Sequence, residues 1–462
     1  MYTSSKMAFC SMAAALVLSG CGSDSDSQSN NVNNVPSSGA SLPYEVLRND
    51  LINGAKATET FEIRNGGFGS AATAHPTNAN RFYALTDRGP NATYADGKMF
   101  PVPDYTPRIG LFEVQPNGSV AKISEILLKD RDGNPISGLP NSSALGGTGE
   151  TPYDAHGTLI TNANGDVKLD DYGLDSEGLA ALKDGSFWVS DEYGPHMVHY
   201  DANGKEIGRI NPFANDMRNT YTLPAEFGNR WANRGMEGLC ITPDQKTLVG
   251  IMQSTLDNPS KAVRGTLTRI VSVDLESGAI KQYLYKQEKA RNSNSEIAAL
   301  GNDTFLIIER DGSFYTGGGN TAATPSAQKH IYKVRLSSGT ELENLTLGAN
   351  MVQDAALGLS IEGKTLEEIA IEDGGWETLA AKGITPVSKS LVVDMVAAVG
   401  YPHDKMEGLI VFDNSTLGVL NDDDFATWVN NDVLEQKYLG TDQNIIDANT
   451  LYVIRGLDLS AN

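Results

Sequence analysis

Five stretches of this chain bring oxygen-bearing side chains, mostly acidic, to matching positions at the two ends of a short hairpin. Carboxylates gathered in that way can hold a metal ion or carry a proton. The clearest copy runs Asp175-Ser-Glu-Gly-Leu, turns at Lys183-Asp-Gly-Ser and returns as Phe187-Trp-Val-Ser-Asp-Glu192. A second begins Met236-Glu-Gly-Leu and returns through Leu248 to Ser254. A third runs from Ser295-Glu-Ile to Phe305-Leu-Ile-Ile-Glu-Arg310, and a fourth from Met406-Glu-Gly-Leu to Leu417-Gly-Val-Leu-Asn-Asp422. The first in chain order is degenerate, Gly69-Ser-Ala-Ala returning as Arg81-Phe-Tyr-Ala-Leu-Thr-Asp87. An antiparallel hairpin sets its first residue beside its last. The expected neighbours are Glu177 and Glu192, Glu237 and Gln253, Glu296 and Glu309, Glu407 and Asp422, Ser70 and Asp87.

Several carboxylates in one mouth raise one another's pKa unless a cation compensates them. The donors are oxygens, and with only 6 His and 3 Cys in the chain zinc and copper are disfavoured. Ca²⁺, or another hard divalent cation, suits such a set. The candidate ligands are Asp87, Glu177, Glu237, Glu296, Glu309, Glu407 and Asp422. Arg88, Arg310, His403 and Lys405 lie beside them, and a guanidinium matches a phosphate or carboxylate. The candidate catalytic groups are therefore Glu192 and Asp191 as proton carriers, with Arg88 and Arg310 as clamps on an anion. The plainer alternative is that these carboxylates cap strands or pair with the same basic residues.

The elements that must position these residues repeat with them. Glu177, Glu237 and Glu296 are spaced at about sixty residues, the size of a structural repeat. Outer strands follow each hairpin, such as Met197-Val-His-Tyr-Asp-Ala-Asn-Gly and Ile331-Tyr-Lys-Val-Arg-Leu-Ser-Ser-Gly, whose alternation and Gly turns signal further hairpins. The pattern predicts an all-β protein, a β-propeller of four-stranded blades with short helical insertions. Five blades are legible, and 126–170 and 345–400 have room for a sixth. The final strand, Leu451 to Arg455, needs a partner from near the start, expected at Tyr44 to Leu51 or Thr58 to Ile63.

A balance of 36 basic to 58 acidic residues, net −22, argues against nucleic acid as a partner. Lys6, the apolar run Met7 to Leu18 and Leu18-Ser-Gly-Cys21 read as a lipoprotein signal peptide over residues 1–20, with Cys21 lipidated. Gly22 after that Cys points to the outer membrane of a bacterial envelope, and the lipid is the expected membrane contact. Residues 21–42 read as a disordered Ser/Asn/Asp tether, and 43–462 as the propeller domain. Cys240 lacks an internal disulfide partner and reads as a small buried apolar residue. Gly358-Leu-Ser-Ile-Glu-Gly-Lys-Thr365 matches the phosphate-loop pattern letter for letter, but no strong strand precedes it and no βα alternation surrounds it. It reads as a turn before a helix, and no nucleotide is expected. Asp175, with Asp166, Asp170 and Asp171, approaches the second hairpin and could join the mouth.

With Ser176-Glu-Gly-Leu-Ala, Phe187-Trp-Val-Ser-Asp-Glu-Tyr-Gly-Pro195, Phe82-Tyr-Ala-Leu-Thr-Asp-Arg-Gly, Met236-Glu-Gly-Leu and Lys405-Met-Glu-Gly-Leu together, the chain resembles the phytase-like family, described by an esterase-like activity of phytase. The likeness spans roughly Gly66 to Arg455. It implies a propeller-like repeat, a phosphoric-ester hydrolase, and acidic positions at Asp87, Glu177, Asp191, Glu192, Glu237, Glu296, Glu309 and Glu407. The chain departs from the pattern at Glu296, followed by Ile-Ala, and in the insertion 345–400. Three readings fit: a metal-dependent hydrolase of an anionic phosphoric ester, a lactonase or carboxylic esterase on the same scaffold, and a non-catalytic surface ligand-binding lipoprotein. Substituting Cys21→Ser should move the protein from the membrane to the soluble fraction; retention on membranes after fractionation would mean a different anchor.

Overall fold

The computed structural model describes residues 30–461; the signal peptide and Cys21 lie outside the described residues. The chain is mostly β, built from many small sheets. Five of these carry the repeat, each ordered from its inner strand outward. The first comprises Ala71–Ala74, Arg81–Leu85, Arg108–Val114 and Val120–Leu127. The second comprises Ser176–Ala181, Phe187–Asp191, Met197–Tyr200 and Glu206–Asn211, with Tyr221–Thr222 added at its edge. The third comprises Met236–Ile241, Thr247–Met252, Leu267–Asp274 and Ile280–Lys286. The fourth comprises Ser293–Ala299, Thr304–Arg310, Lys329–Arg335 and Ser388–Asp394. The fifth comprises Gly408–Asp413, Thr416–Leu420 and Thr450–Arg455, completed by Ala40–Ser41.

The apolar runs in these strands are continuous because both faces of each sheet are covered. In the fourth sheet Phe305 and Ile307 pack toward Val249 and Ile270 of the third, whereas Leu306 and Ile308 pack toward Leu409 and Val419 of the fifth. Corresponding clusters join first to second around Leu85 and Phe187, second to third around Trp188 and Leu248, and fifth to first around Leu420 and Phe82. The sheets therefore neighbour one another in a complete cycle, a propeller-like arrangement. Cys240 is buried in the cluster between the third and fourth sheets.

The Glu-Gly-Leu triplets have a packing reason. A Cβ on Gly178 would lie 2.6 Å from the Glu237 carbonyl oxygen, and one on Gly238 would lie 2.5 Å from the Ile297 nitrogen. Glycine lets each inner strand press its backbone against the next, which draws the hairpin ends together.

Three expectations are corrected. The closing strand is Ala40–Ser41, paired with Leu451 and Thr450, rather than a segment after Tyr44. Residues 30–42 do not behave as tether: Val32, Val35 and Leu42 are buried between the first and fifth sheets, and Arg455 donates to the Val32 and Val35 carbonyls. Their apolar side chains outweigh the polar composition of the segment. Finally, 345–400 supplies an outer strand plus a packed insertion with a small three-stranded sheet of its own rather than a sixth four-stranded blade, and 126–170 supplies the short strand Thr151–Tyr153 within a long loop. Within the insertion Gly358–Ile361 is a strand, Gly363 has a φ of 81°, and Thr365 caps the helix Leu366–Ala370 in a capping box with Glu368.

A smaller core around Leu51, Phe61, Met99, Tyr105, Phe425 and Leu434 gathers loops from distant parts of the chain at the hairpin ends. It includes the strands Ala92–Tyr94 and Gly97–Met99, extended by Thr151–Tyr153, and forms a cap. Gly238→Ala should destabilise the protein by about 1–3 kcal/mol through overpacking, read from denaturant midpoints. Gly312→Ala, where the new Cβ meets nothing within 4 Å, is the control. Equal midpoints would remove the packing role assigned to the triplet glycine.

Candidate functional site

The hairpins deliver their side chains through a local irregularity. In the second sheet Ser176 pairs with Asp191 and Gly178 with Ser190, so Glu177 is the extra residue of a β-bulge. Glu237 is likewise the extra residue between Met236 and Gly238. In the fifth sheet the Glu407 N–H donates to the Leu420 carbonyl, the residue paired with Gly408. In the inner hairpin of the fourth sheet the extra residue is Ser295, because Asn294 pairs with Glu309 and Glu296 with Ile308. Glu296 therefore takes the place that Gly178 and Gly238 hold, one residue out of the expected register. The residues at the mouth of that hairpin are Ser295 and Arg310, joined by a 2.9 Å hydrogen bond from Arg310 Nε.

This register removes several expected ligands from the mouth. Glu296 Oε1 accepts from the backbone N–H groups of Leu239 and Ile297 at 3.1 and 2.9 Å, among the inner strands. Burial there pushes its carboxyl well above the usual range. Glu309 turns toward the third sheet, accepting from Tyr285 Oη at 2.8 Å, Asn292 Nδ2 at 2.6 Å and Lys389 Nζ at 2.7 Å. Asp191 accepts from the Asp175 and Gly194 N–H groups, both at 2.8 Å, and holds the loop instead of facing the mouth. Glu407 is paired with Arg310, and Asp422 with Lys405 at 2.7 Å. Glu237 accepts from Gln253 Nε2 at 2.7 Å, and the same amide donates to Glu192 Oε1 at 2.5 Å.

What converges is Asp87, Asp175 and Glu177, all buried, each offering an oxygen within 4.8 Å of the others. Asp87 ends the first hairpin, Glu177 is the bulge residue of the second, and Asp175 sits just before that strand. Asp170 and Asp171 instead hold backbone N–H groups of Ser137 and Ser142. Arg88 lies 2.7 Å from Asp175 and 3.4 Å from Glu150. Even so, the two buried carboxylate oxygens of Asp175 take no well-directed hydrogen bond.

The three carboxylates line a cavity of about 330 Å³ together with Glu192, Asp404 and Asp424. Four cations, Arg88, Lys98, Arg310 and Lys405, share that lining, so six carboxyls face four basic side chains there. Burial raises the carboxyls of Asp87 and Glu177 well above their usual range, and neighbouring carboxylates add to it: Asp422 and Asp175 on Asp87, Glu237 and Asp175 on Glu177. Burial, then Glu237 and Asp175, does the same to Glu192. An all-oxygen set, an oxygen pair short of donors and carboxyls that crowd one another fit a hard divalent cation. Asp87, Asp175 and Glu177 could hold one.

Sequence reasoning identified Asp87 and Glu177 and left Asp175 among several loop aspartates. Its signal was its place one residue before the Ser-Glu-Gly triplet. Lys98 was missed because it comes from the cap, outside the five repeat hairpins.

A mostly-β, propeller-like chain with a buried acidic site at one end of its hairpins is the class these observations define. The chain belongs to the phytase-like family, described as esterase-like activity of phytase, whose sequence model matches residues 63–425. It is 29% identical over 292 residues to an uncharacterized secreted protein of Arthroderma benhamiae, across 53% of this chain and 55% of that protein. The chain thus spans about half the length of the curated relative it matches. Among solved structures, the periplasmic gluconolactonase PpgL of Pseudomonas aeruginosa is 12% identical, with 88% of this chain and 94% of that one covered and a TM-score of 0.32. PhoX of Pseudomonas fluorescens in complex with vanadate, a transition state analogue, is 11% identical, with 90% and 95% covered and a TM-score of 0.31. Likeness at that level carries nothing about this chain's chemistry. No helix among the described residues is long and apolar enough to cross a membrane.

Burial raises Asp191 to about 7 and Glu407 to about 8. Between the ordinary carboxylate range and those values the folded chain holds protons the unfolded chain has released, so stability falls as pH rises. In chelator, the melting temperature should be lower at pH 8 than at pH 5. A rise across that interval, followed by thermal unfolding, would contradict protonated carboxyls in the fold.

Proposed function

We propose that this chain is an exported, metal-assisted hydrolase of small phosphoric esters, working at the mouth of a five-bladed propeller and tethered by lipid at Cys21 to a bacterial outer membrane. The observation that carries this reading is the Asp87–Asp175–Glu177 cluster, three buried carboxylates that line one cavity with their oxygens within 4.8 Å of one another. Asp87, Asp175 and Glu177 would hold the ion, with Ca²⁺ the best match to an all-oxygen set. Bound there, a divalent cation supplies positive charge for an ester oxygen and lowers the pKa of water.

The chain's own groups supply the rest. Gln253 fixes Glu192 through Oε1. Burial and Glu237 raise the Glu192 carboxyl, which favours its protonated form and suits it to give a proton to a leaving group. Arg88 steadies Asp175, which keeps the acidic cluster in place. The cavity of about 330 Å³ accommodates a small ester or one arm of a larger one. Family membership supports hydrolysis as the reaction class.

Two measurements test the reading. Calcium added after chelation should raise the melting temperature, by about 2.7 kcal/mol of stabilisation at a hundredfold excess over Kd. Glu177→Gln should abolish most of that shift while leaving the metal-free fold as stable or more so, because it removes one repelling charge. The same variant should lose calcium-dependent turnover on a panel of phosphomonoesters, phosphodiesters and phytate, with lactones as comparison. An undiminished calcium shift in Glu177→Gln would sink the site; turnover on lactones alone would transfer the site to carboxylic-ester chemistry.

A further inference from the structure

Three of the four cations around the cavity are committed to carboxylates: Arg88 to Asp175, Arg310 to Glu407, and Lys405 to Asp422 and Asp424. The two arginines nominated by sequence as anion clamps are therefore occupied by the protein itself. Lys98 differs. Among the described residues its ammonium has no hydrogen bond and no carboxylate within 4.0 Å, yet the side chain lines the same cavity as Asp87, Asp175 and Glu177. Lys98 is only half-buried, so its ammonium stays free to meet an anion that enters the cavity from solvent.

The cap explains how it is held. Gly97–Met99 lies between Ala92–Tyr94 and Thr151–Tyr153, with Lys98 paired to Thr93 on one side and Pro152 on the other. Met99 anchors the strand in the small core with Phe61 and Phe425, and alternation directs Lys98 to the cavity, where Thr93 also faces. A Cβ on Gly97 would lie 1.9 Å from the Thr151 carbonyl oxygen, so the strand is seated closely. The charged groups acting on the ammonium are Arg88 and Lys405, which repel it, and Glu150 and Asp175, which are too far to pair. Burial and Arg88 lower its proton affinity, as expected of a cation short of an anion.

We infer that Lys98 is the specificity residue of this site, reaching from the cap to hold the anionic oxygens of a phosphate-type substrate against the Asp87–Asp175–Glu177 cluster. The inference rests on the hydrolase reading above and adds the group that selects an anion. A strand anchored by its own core makes this contact rigid, and a charge-assisted hydrogen bond supplies the selectivity.

The test uses the calcium-loaded mature chain and inorganic phosphate, titrated calorimetrically into wild type, Lys98→Met and Lys98→Arg. Lys98→Met should weaken phosphate binding by roughly tenfold or more, the loss of one charge-assisted contact. Lys98→Arg should recover most of it. The melting temperature of Lys98→Met should be unchanged or higher, since no ion pair is lost. On a turned-over ester the methionine variant should raise KM more than it lowers kcat. Equal phosphate affinity in wild type and Lys98→Met overturns the inference and leaves the hydrolase reading standing. If wild type ignores phosphate but binds gluconate through Lys98, the residue still reads an oxyanion, but the phosphate class and the phosphoric-ester reading both fall. Wild type binding neither anion overturns both.

Discussion

Buried like charge is the constraint on which this structure turns. Five hairpins end at one mouth, and most bring carboxylates to a place where water cannot screen them. Each must be neutralised by a proton, a basic partner or an ion. The chain uses different solutions around the ring. Arg310 answers Glu407, Lys405 answers Asp422 and Asp424, and Gln253 bridges Glu192 and Glu237. At Asp87, Asp175 and Glu177 the compensation is thinner: Arg88 pairs with Asp175, and Lys405, committed to Asp422 and Asp424, acts on Asp87 and Glu177 only through its field.

The close approach that concentrates the charge is a backbone property. Inner strands press together at Gly178 and Gly238, where no side chain fits, and the bulge beside each glycine turns the glutamate out of the ladder. Packing and chemistry therefore share one triplet. The inner hairpin of the fourth sheet shows their coupling from the other side. With Ser295 in the bulge and Glu296 in the glycine place, that hairpin presents a hydroxyl and Arg310 at the mouth, and its carboxylate accepts backbone N–H groups among the inner strands. One residue of register converts an acidic hairpin end into a basic one, which is what Glu407 requires.

The cap performs a separate task. Its small core, built on Phe61, Met99, Tyr105 and Phe425, draws residues far apart in the chain over the mouth. Such a core needs no repeat symmetry, so the cap can vary while the hairpins stay regular. Placing an uncommitted cation there, opposite an acidic floor, makes the cavity two-signed. On the hydrolase reading proposed above, a small anionic ester would meet both signs at once.

Residue order alone determined the repeat, the hairpin turns and the acidic character of the mouth, because strand alternation and turn chemistry are local and act within a few residues. It also determined that oxygen donors dominate, and it carried the family likeness through Phe187 to Pro195. Tertiary structure alone decided which carboxylates meet. A bulge shifts register by one residue without altering composition, and this separated Glu296 and Glu309 from the mouth. Only packing between sheets joined Asp175 to Asp87 and tied Arg88 and Arg310 into ion pairs, since those partners come from different repeats or from beyond them. Only the cap's own core brought Lys98 over the site, and folded Val32 and Val35 into a domain whose polar leader concealed them. Contacts of that kind depend on distances across the assembled sheets, which no local pattern encodes.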